Sequence, residues 1–188
     1  GKYNYAKNLV EIFATIAMLG IPTYGQREGA KVRDNRKELS NLMSELFSLS
    51  MLSNVIAMVA LYLATFVVDT LHSYALLIII FSVTIPMTTI GMSWIFVVLE
   101  DYNFTTILGI MFNLLSVAAM FLFVHKKTDI YIYAFITVIA SCGSNFIKFV
   151  YGEKYCDIKL TLHIRLKKHL KPILLMFSAY ISVMIYNK

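Results

Sequence analysis

Four stretches of this chain contain no Asp, Glu, Lys or Arg: residues 46–68, 70–99, 102–124 and 130–147. Each meets or approaches the roughly 20 apolar residues that cross about 30 Å of hydrocarbon as a helix. Runs such as LLIIIFSVTIPM and VAAMFLFV lack the alternation of a barrel strand, and a lone span must satisfy its own backbone hydrogen bonds in lipid. The remaining sequence agrees, since 59% of the 188 residues are hydrophobic and only 15% are charged, too apolar a balance for a water-soluble fold to hide. The expected class is therefore all-α, a polytopic transmembrane helix bundle.

Two shorter uncharged runs, Ile12 to Gln26 and Pro172 to Asn187, bring the expected helices to about six. The spans are placed at about 8–25, 46–68, 74–98, 104–124 and 130–151, within a bundle of residues 1–171; residues 172–188 read as the start of a further, truncated span. The opening GKYNYAKNLVEIF has no initiator Met and sets Glu11 where a signal peptide would need an apolar core. The sequence is thus expected to be a fragment of a longer protein.

If the helices alternate in direction, one face carries Arg27, Lys31, Arg33, Arg36 and Lys37 in one loop and Lys154, Lys159, Arg165, Lys167, Lys168 and Lys171 in another. With Lys148 these make twelve of the seventeen basic residues; Lys2, Lys7, Lys126, Lys127 and Lys188 fall opposite. The richer face, loops 26–38 and 152–171, is expected to be cytoplasmic.

The first of these loops follows a sharp stop. Gly20 and Pro22 discourage continuation of the first helix, at about 1 and 3 kcal/mol in a helix interior, and Gly25 is expected to free a turn. Asn35 followed by Glu38 has capping-box spacing, restarting a helix whose apolar side reads Leu39, Leu42, Met43 and Leu46. On physical grounds alone this stretch is a topology determinant and a capped hairpin.

Enzymatic chemistry is not legible. No GxSxG, Walker or GxGxxG pattern occurs. His72, His125, His163 and His169 are scattered, Cys142 and Cys156 have no paired spacing, and neither a metal nor a cofactor site is expected. Glu100 and Asp101 are adjacent and so point in different directions on a helix, which argues for helix-end charges over a shared acid–base role.

Ionisable residues inside a membrane cost about 2.5–3.5 kcal/mol each on insertion scales, so they face a cavity or a partner. Glu11 lies about 13 Å along the helix from Gly20; it is either a residue that couples transport to an ion or the partner of Lys7 four positions earlier. Glu45 and Lys148, at span ends, are expected to snorkel to the headgroups. Thr84, Pro86, Thr88, Thr89, Gly91 and Ser93 predict a bend in the third span of the kind that lines transport pathways. Ser141, Gly143 and Ser144 fit plain helix contacts, and Asn54, Asn113 and Asn145 fit either interhelical hydrogen bonds or cavity lining.

LGIPTYGQREGAKVRDNRKELSNLMSEL resembles the stretch after the second helix of the bacterial O-antigen and polysaccharide flippases, where Gly-Ile-Pro-x-Tyr-Gly-x-Arg precedes a basic Ala-Lys-x-Arg-Asp run. SWIFVVLEDY is similar to the end of that family's fourth helix, and GSNFIKFVYGEKY with LKKHLKPILLMF to the end of its sixth and start of its seventh. Two departures stand out: Val97 and Val98 replace a frequent Gln-Gly, and Gly29 stands where Ile or Val is usual. The resemblance covers nearly the whole chain and implies the N-terminal lobe of a two-lobed flippase or antiporter fold, from just before the second helix into the seventh.

It further implies alternating-access translocation of a polyprenyl-pyrophosphate-linked oligosaccharide across the bacterial inner membrane. Implied substrate contacts are Arg27, Lys31, Trp94, Glu100, Asp101 and Asn145, with Arg27 and Lys31 suited to pyrophosphate. Glu11 is the candidate for coupling to a proton or sodium ion, and Gly20, Pro22, Tyr24, Gly25, Pro86 and Gly91 are structural. Implied partners are the lipid-linked oligosaccharide, membrane lipids, and a polymerase with other assembly proteins; no nucleic acid is expected. The rival readings are a cation-coupled drug or metabolite antiporter of the same fold and a membrane enzyme of polysaccharide assembly, although the outward loops DTLHS and HKKTD are short for an active site.

Overall fold

The computed structural model describes residues 2–126, 128–161 and 165–186. Lys127, His163, Asn187 and Lys188, which enter the charge, histidine and span arguments above, lie outside the described residues. Among the described residues the secondary structure is helical, without strands.

The first helix, α1, runs over Lys2–Met18, short of the expected limit at residue 25. It stops because Leu19 and Gly20 take positive φ, 48° and 74°, a conformation that glycine admits freely and leucine rarely adopts. The chain does not then loop. A second helix, α2, forms over Ile21–Val32 with Pro22 in its first turn, where a missing N–H costs nothing. Gly25 therefore lies within a helix rather than freeing a turn, and much of the expected basic loop is helical.

Asn35 caps the long α3, Arg36–Val67, accepting from the backbone N–H groups of Lys37 and Glu38 at 3.2 and 3.3 Å. Its Nδ2 also donates to the Glu38 carboxylate at 3.1 Å. Leu39, Leu42, Met43 and Leu46 are all buried, as the capping box and apolar stripe require.

A single turn, α4 (Asp69–His72), leads to a span broken into three: α5 (Ala75–Ser82), α6 (Thr84–Gly91) and α7 (Ser93–Val98). The expected bend thus occurs twice. Pro86 sits in the first turn of α6, after the break at Val83, and the second break follows Gly91, where Met92 takes φ 39°. The helices α8 (Tyr102–Phe123) and α9 (Ile130–Gly152) are continuous. The last, α10, covers Leu166–Tyr186, so Lys168 and Lys171 belong to its opening turns and Pro172 lies inside it, not at the start of a span.

Among the described residues four segments are long and apolar enough to cross a membrane: Arg36–Val67, the broken Ala75–Val98, Tyr102–Phe123 and Ile130–Gly152. The protein is an all-α polytopic membrane bundle. Only Leu108 of α8 is buried, while Phe121 and Leu114 are 80% and 65% exposed, a surface suited to hydrocarbon and not to water.

Two apolar clusters hold the helices. One joins α1, α3, α5 and α9 through Val10, Leu61, Ile78, Phe81 and Val138. The other joins α2, α3, α7 and α10 through Ile21, Leu46, Ile95, Phe96 and Ile173. Gly143 lets the Phe112 ring of α8 lie against the α9 backbone, the plain helix contact expected there.

Candidate functional site

A cavity of about 450 Å³ opens between α1, the α5–α6 junction and α9. Its polar lining comes from Lys7, Glu11, Thr15, Thr84, Thr88, Thr137 and Ser141, set among Val10, Phe81 and Val138. The hydroxyls are oriented by their own helices: Thr15 donates to the Glu11 carbonyl at 2.8 Å, Thr84 to Phe81 at 2.7 Å, Thr88 to Ile85 at 2.8 Å and Thr137 to Tyr133 at 2.8 Å. A hydroxyl whose proton is used in this way turns its lone pairs outward. The walls are mainly apolar, and the hydroxyls of Thr15, Thr84 and Thr88 add acceptors that a sugar hydroxyl can donate to, while Thr137 already accepts from the Tyr3 hydroxyl at 3.2 Å.

Glu11 lines this cavity and lies 3.7 Å from Lys7, the helix-face pair that their spacing predicts. The lysine balances the carboxylate charge within the same helix.

The basic residues gather at one end of the bundle. Arg33 pairs with Glu100 at 2.8 Å, and Arg36 reaches Asp157 and the Glu153 carbonyl, each at 3.3 Å. Both basic segments thus share one face. Lys2, Asn4, Lys126 and Asp129 border a groove together, and the Lys2 ammonium lies 5.9 Å from the centre of the Tyr74 ring, beyond the far end of α3.

At the basic end Arg27, Lys31, Arg33, Arg36 and Arg165 have carboxylate partners. Arg27 and Lys31 both bind Glu28, at 3.0 and 2.8 Å, so the three residues carry one net positive charge. Lys31, then Arg27, hold the Glu28 carboxyl below the usual carboxylate range. Glu100 and Asp101 diverge as their adjacency requires: Glu100 takes Arg33, and Asp101 accepts from the Tyr155 hydroxyl at 2.9 Å.

Trp94 is buried in the α2–α7 contact, not in the cavity wall. A Cβ on Gly25 would stand 2.9 Å from three of its ring atoms, so the glycine of the GIPTYG stretch makes room for the indole. Gly91 plays the same part for Asn145, whose side chain lies against it. Asn54 donates to Thr89 at 2.9 Å, an interhelical bond, while Asn113 is exposed on α8. Lys148 donates to Ser93 at 3.2 Å.

Glu45 corrects the sequence reading. It does not snorkel; it is 7% exposed and receives Arg165 Nη2 at 2.8 Å and Nε at 2.9 Å, with His169 Nε2 at 2.7 Å. His169, fully buried, meets the Tyr24 hydroxyl through Nδ1 at 2.8 Å. With the carboxylate ionised, Nε2 must donate to it, and in the neutral ring Nδ1 accepts from Tyr24. The chain Tyr24–His169–Glu45–Arg165 ties α2, α3 and α10 together. Charge counting assigns Glu45, Arg165 and His169 to span ends and a loop, and no local spacing links residues 120 positions apart.

The family model described as "Polysaccharide biosynthesis protein" matches residues 1–186. The chain belongs to the polysaccharide biosynthesis protein family. Searches of curated proteins and of solved structures gave no significant match. Membership in this family joins a role in polysaccharide synthesis or export to a membrane bundle that contains a hydroxyl-lined cavity.

Proposed function

We propose that this polysaccharide biosynthesis protein moves a polyprenyl-pyrophosphate-linked oligosaccharide repeat unit across the bacterial inner membrane by alternating access, as a transporter and not an enzyme. The cavity walled by Thr15, Thr84, Thr88, Thr137 and Ser141 supports this reading most. Hydroxyl acceptors on a largely apolar wall, beside an ion pair, receive sugar hydroxyls, while the exposed apolar flanks of α8 and α3 leave the polyprenyl tail in lipid.

The basic end faces the cytoplasm in this reading, by the excess of Lys and Arg. Arg27 and Lys31 keep one net charge after Glu28 and meet the pyrophosphate there, arginine through its planar fork. Glu11 carries the coupling proton or sodium ion, with Lys7 as its counter-charge between cycles. A polymerase and other assembly proteins act on the exported unit.

Filling the cavity tests the proposal. Thr137→Trp in the full chain should abolish surface-polysaccharide export in complemented cells while leaving its membrane level intact. Wild-type export through the filled cavity would remove the passage from this place.

A further inference from the structure

Between α9 and α10, residues 156–161 form neither helix nor strand, yet every second amide is fixed to α3. The Asp157 N–H donates to Ser40 Oγ at 2.9 Å, Lys159 to Ser44 at 3.1 Å and Thr161 to Ser48 at 2.8 Å. The acceptors are spaced four residues apart on a helix, about 6.0 Å per step. The donors are spaced two apart on an extended chain, about 6.6 Å per step. The near-equality of these two rises lets one segment follow the other for three successive bonds.

Two of the alternate residues face the core, while the third, Leu160, is exposed. Cys156 is fully buried and Ile158 packs on the same apolar cluster as Leu46 and Phe96. The register therefore uses both faces of the segment, with amides to serine and side chains to grease. At its far end Arg165 and His169 close on Glu45, which stands between Ser44 and Ser48 on the same helix. The serines are weak acceptors compared with a backbone ladder, and the segment's apolar anchorage is confined to Cys156 and Ile158.

We propose that residues 156–161 are a detachable strap, zipped along the Ser40–Ser44–Ser48 stripe and locked by the Glu45 carboxylate. Opening of the lock frees strap and α10 together from α3. In the transport reading, on which only this step rests, that release lets α10 change position during the cycle.

Cys156 reports opening directly. Burial pushes its thiol up to about 11 and hides it completely, so alkylation requires the strap to lift. In the full chain in its membrane, maleimide labelling of Cys156, followed by peptide mass spectrometry, should be slow. In Glu45→Gln and in the triple variant S40A/S44A/S48A it should accelerate by about tenfold or more, with buried Cys142 as the control for general unfolding. An oxidised Ser44→Cys/Lys159→Cys pair should instead slow it below wild type and should halt polysaccharide export until a reductant is added. Unchanged labelling in Glu45→Gln, in the triple variant or in the oxidised pair overturns the strap, whatever the protein transports. Undiminished export by the fully oxidised pair overturns its part in transport; if the reduced pair and wild type also fail to export, it is the transport reading that falls, and labelling still decides the strap.

Discussion

Gly29 of α2 lies directly beneath Val98 of α7: a Cβ placed on the glycine would come within 3.1 Å of the valine Cγ2 and 3.4 Å of its Cγ1. The glycine at 29 and the valine at 98, one of the pair Val97 and Val98, at which the sequence departs from the flippase pattern it resembles, thus meet in a single contact. Gly29→Val alone should overpack this contact, at about 1–3 kcal/mol. Adding Val98→Gly should recover part of the loss, with a coupling of about 1 kcal/mol between the sites. Thermal unfolding of the two single variants and the double variant in detergent measures it, and strict additivity would refute the contact.

Gly25 and Trp94 provide an optical version of the same argument. The chain has one tryptophan, and the helix backbone at Gly25 is its floor. Gly25→Ala should displace the indole, changing its emission maximum and lowering the unfolding midpoint by the equivalent of about 1–3 kcal/mol. An unchanged emission spectrum would mean that the ring does not rest there.

The α3 cap is separable from these contacts. Asn35→Ala removes the acceptor for two backbone N–H groups and the bond to Glu38, and should cost about 1 kcal/mol of stability. Asn35→Asp should retain most of it, which distinguishes loss of the cap from loss of amide packing.

Glu28 makes the basic end sensitive to acid. Lys31, then Arg27, depress its carboxyl in the folded protein below the usual 4.5. Its stabilising contribution is therefore complete above that value and is lost as pH falls through the lower, folded value. Unfolding midpoints measured from neutral pH downward should fall less steeply below pH 4.5 for Glu28→Gln than for wild type. Parallel curves would show that the triad adds nothing to the fold.

What was readable in the sequence was whatever depends on neighbours along the chain. Uncharged runs located the four long spans, Asn35 and Glu38 located the start of α3, and Pro86 and Gly91 marked the broken span. Pro22 was misleading, because proline ends one helix and opens another with equal ease, and only the positive φ of Leu19 and Gly20 determines which occurs here. The Glu45 network could not be read, since its partners come from α2, α3 and α10 and a lone acidic residue near a span end carries no mark of burial. The strap left one usable sign, the serines at 40, 44 and 48. A period of four on a helix names a face, though not what lies upon it.

The passage itself is best tested in reconstituted vesicles. The full chain, incorporated into liposomes with a polyprenyl-pyrophosphate-linked oligosaccharide, should make inner-leaflet substrate accessible to a glycan-cleaving enzyme added outside, and Thr137→Trp should bring that rate down to the level of protein-free vesicles. Equal rates with and without the protein, or an undiminished rate in the cavity-filled variant, would contradict the account.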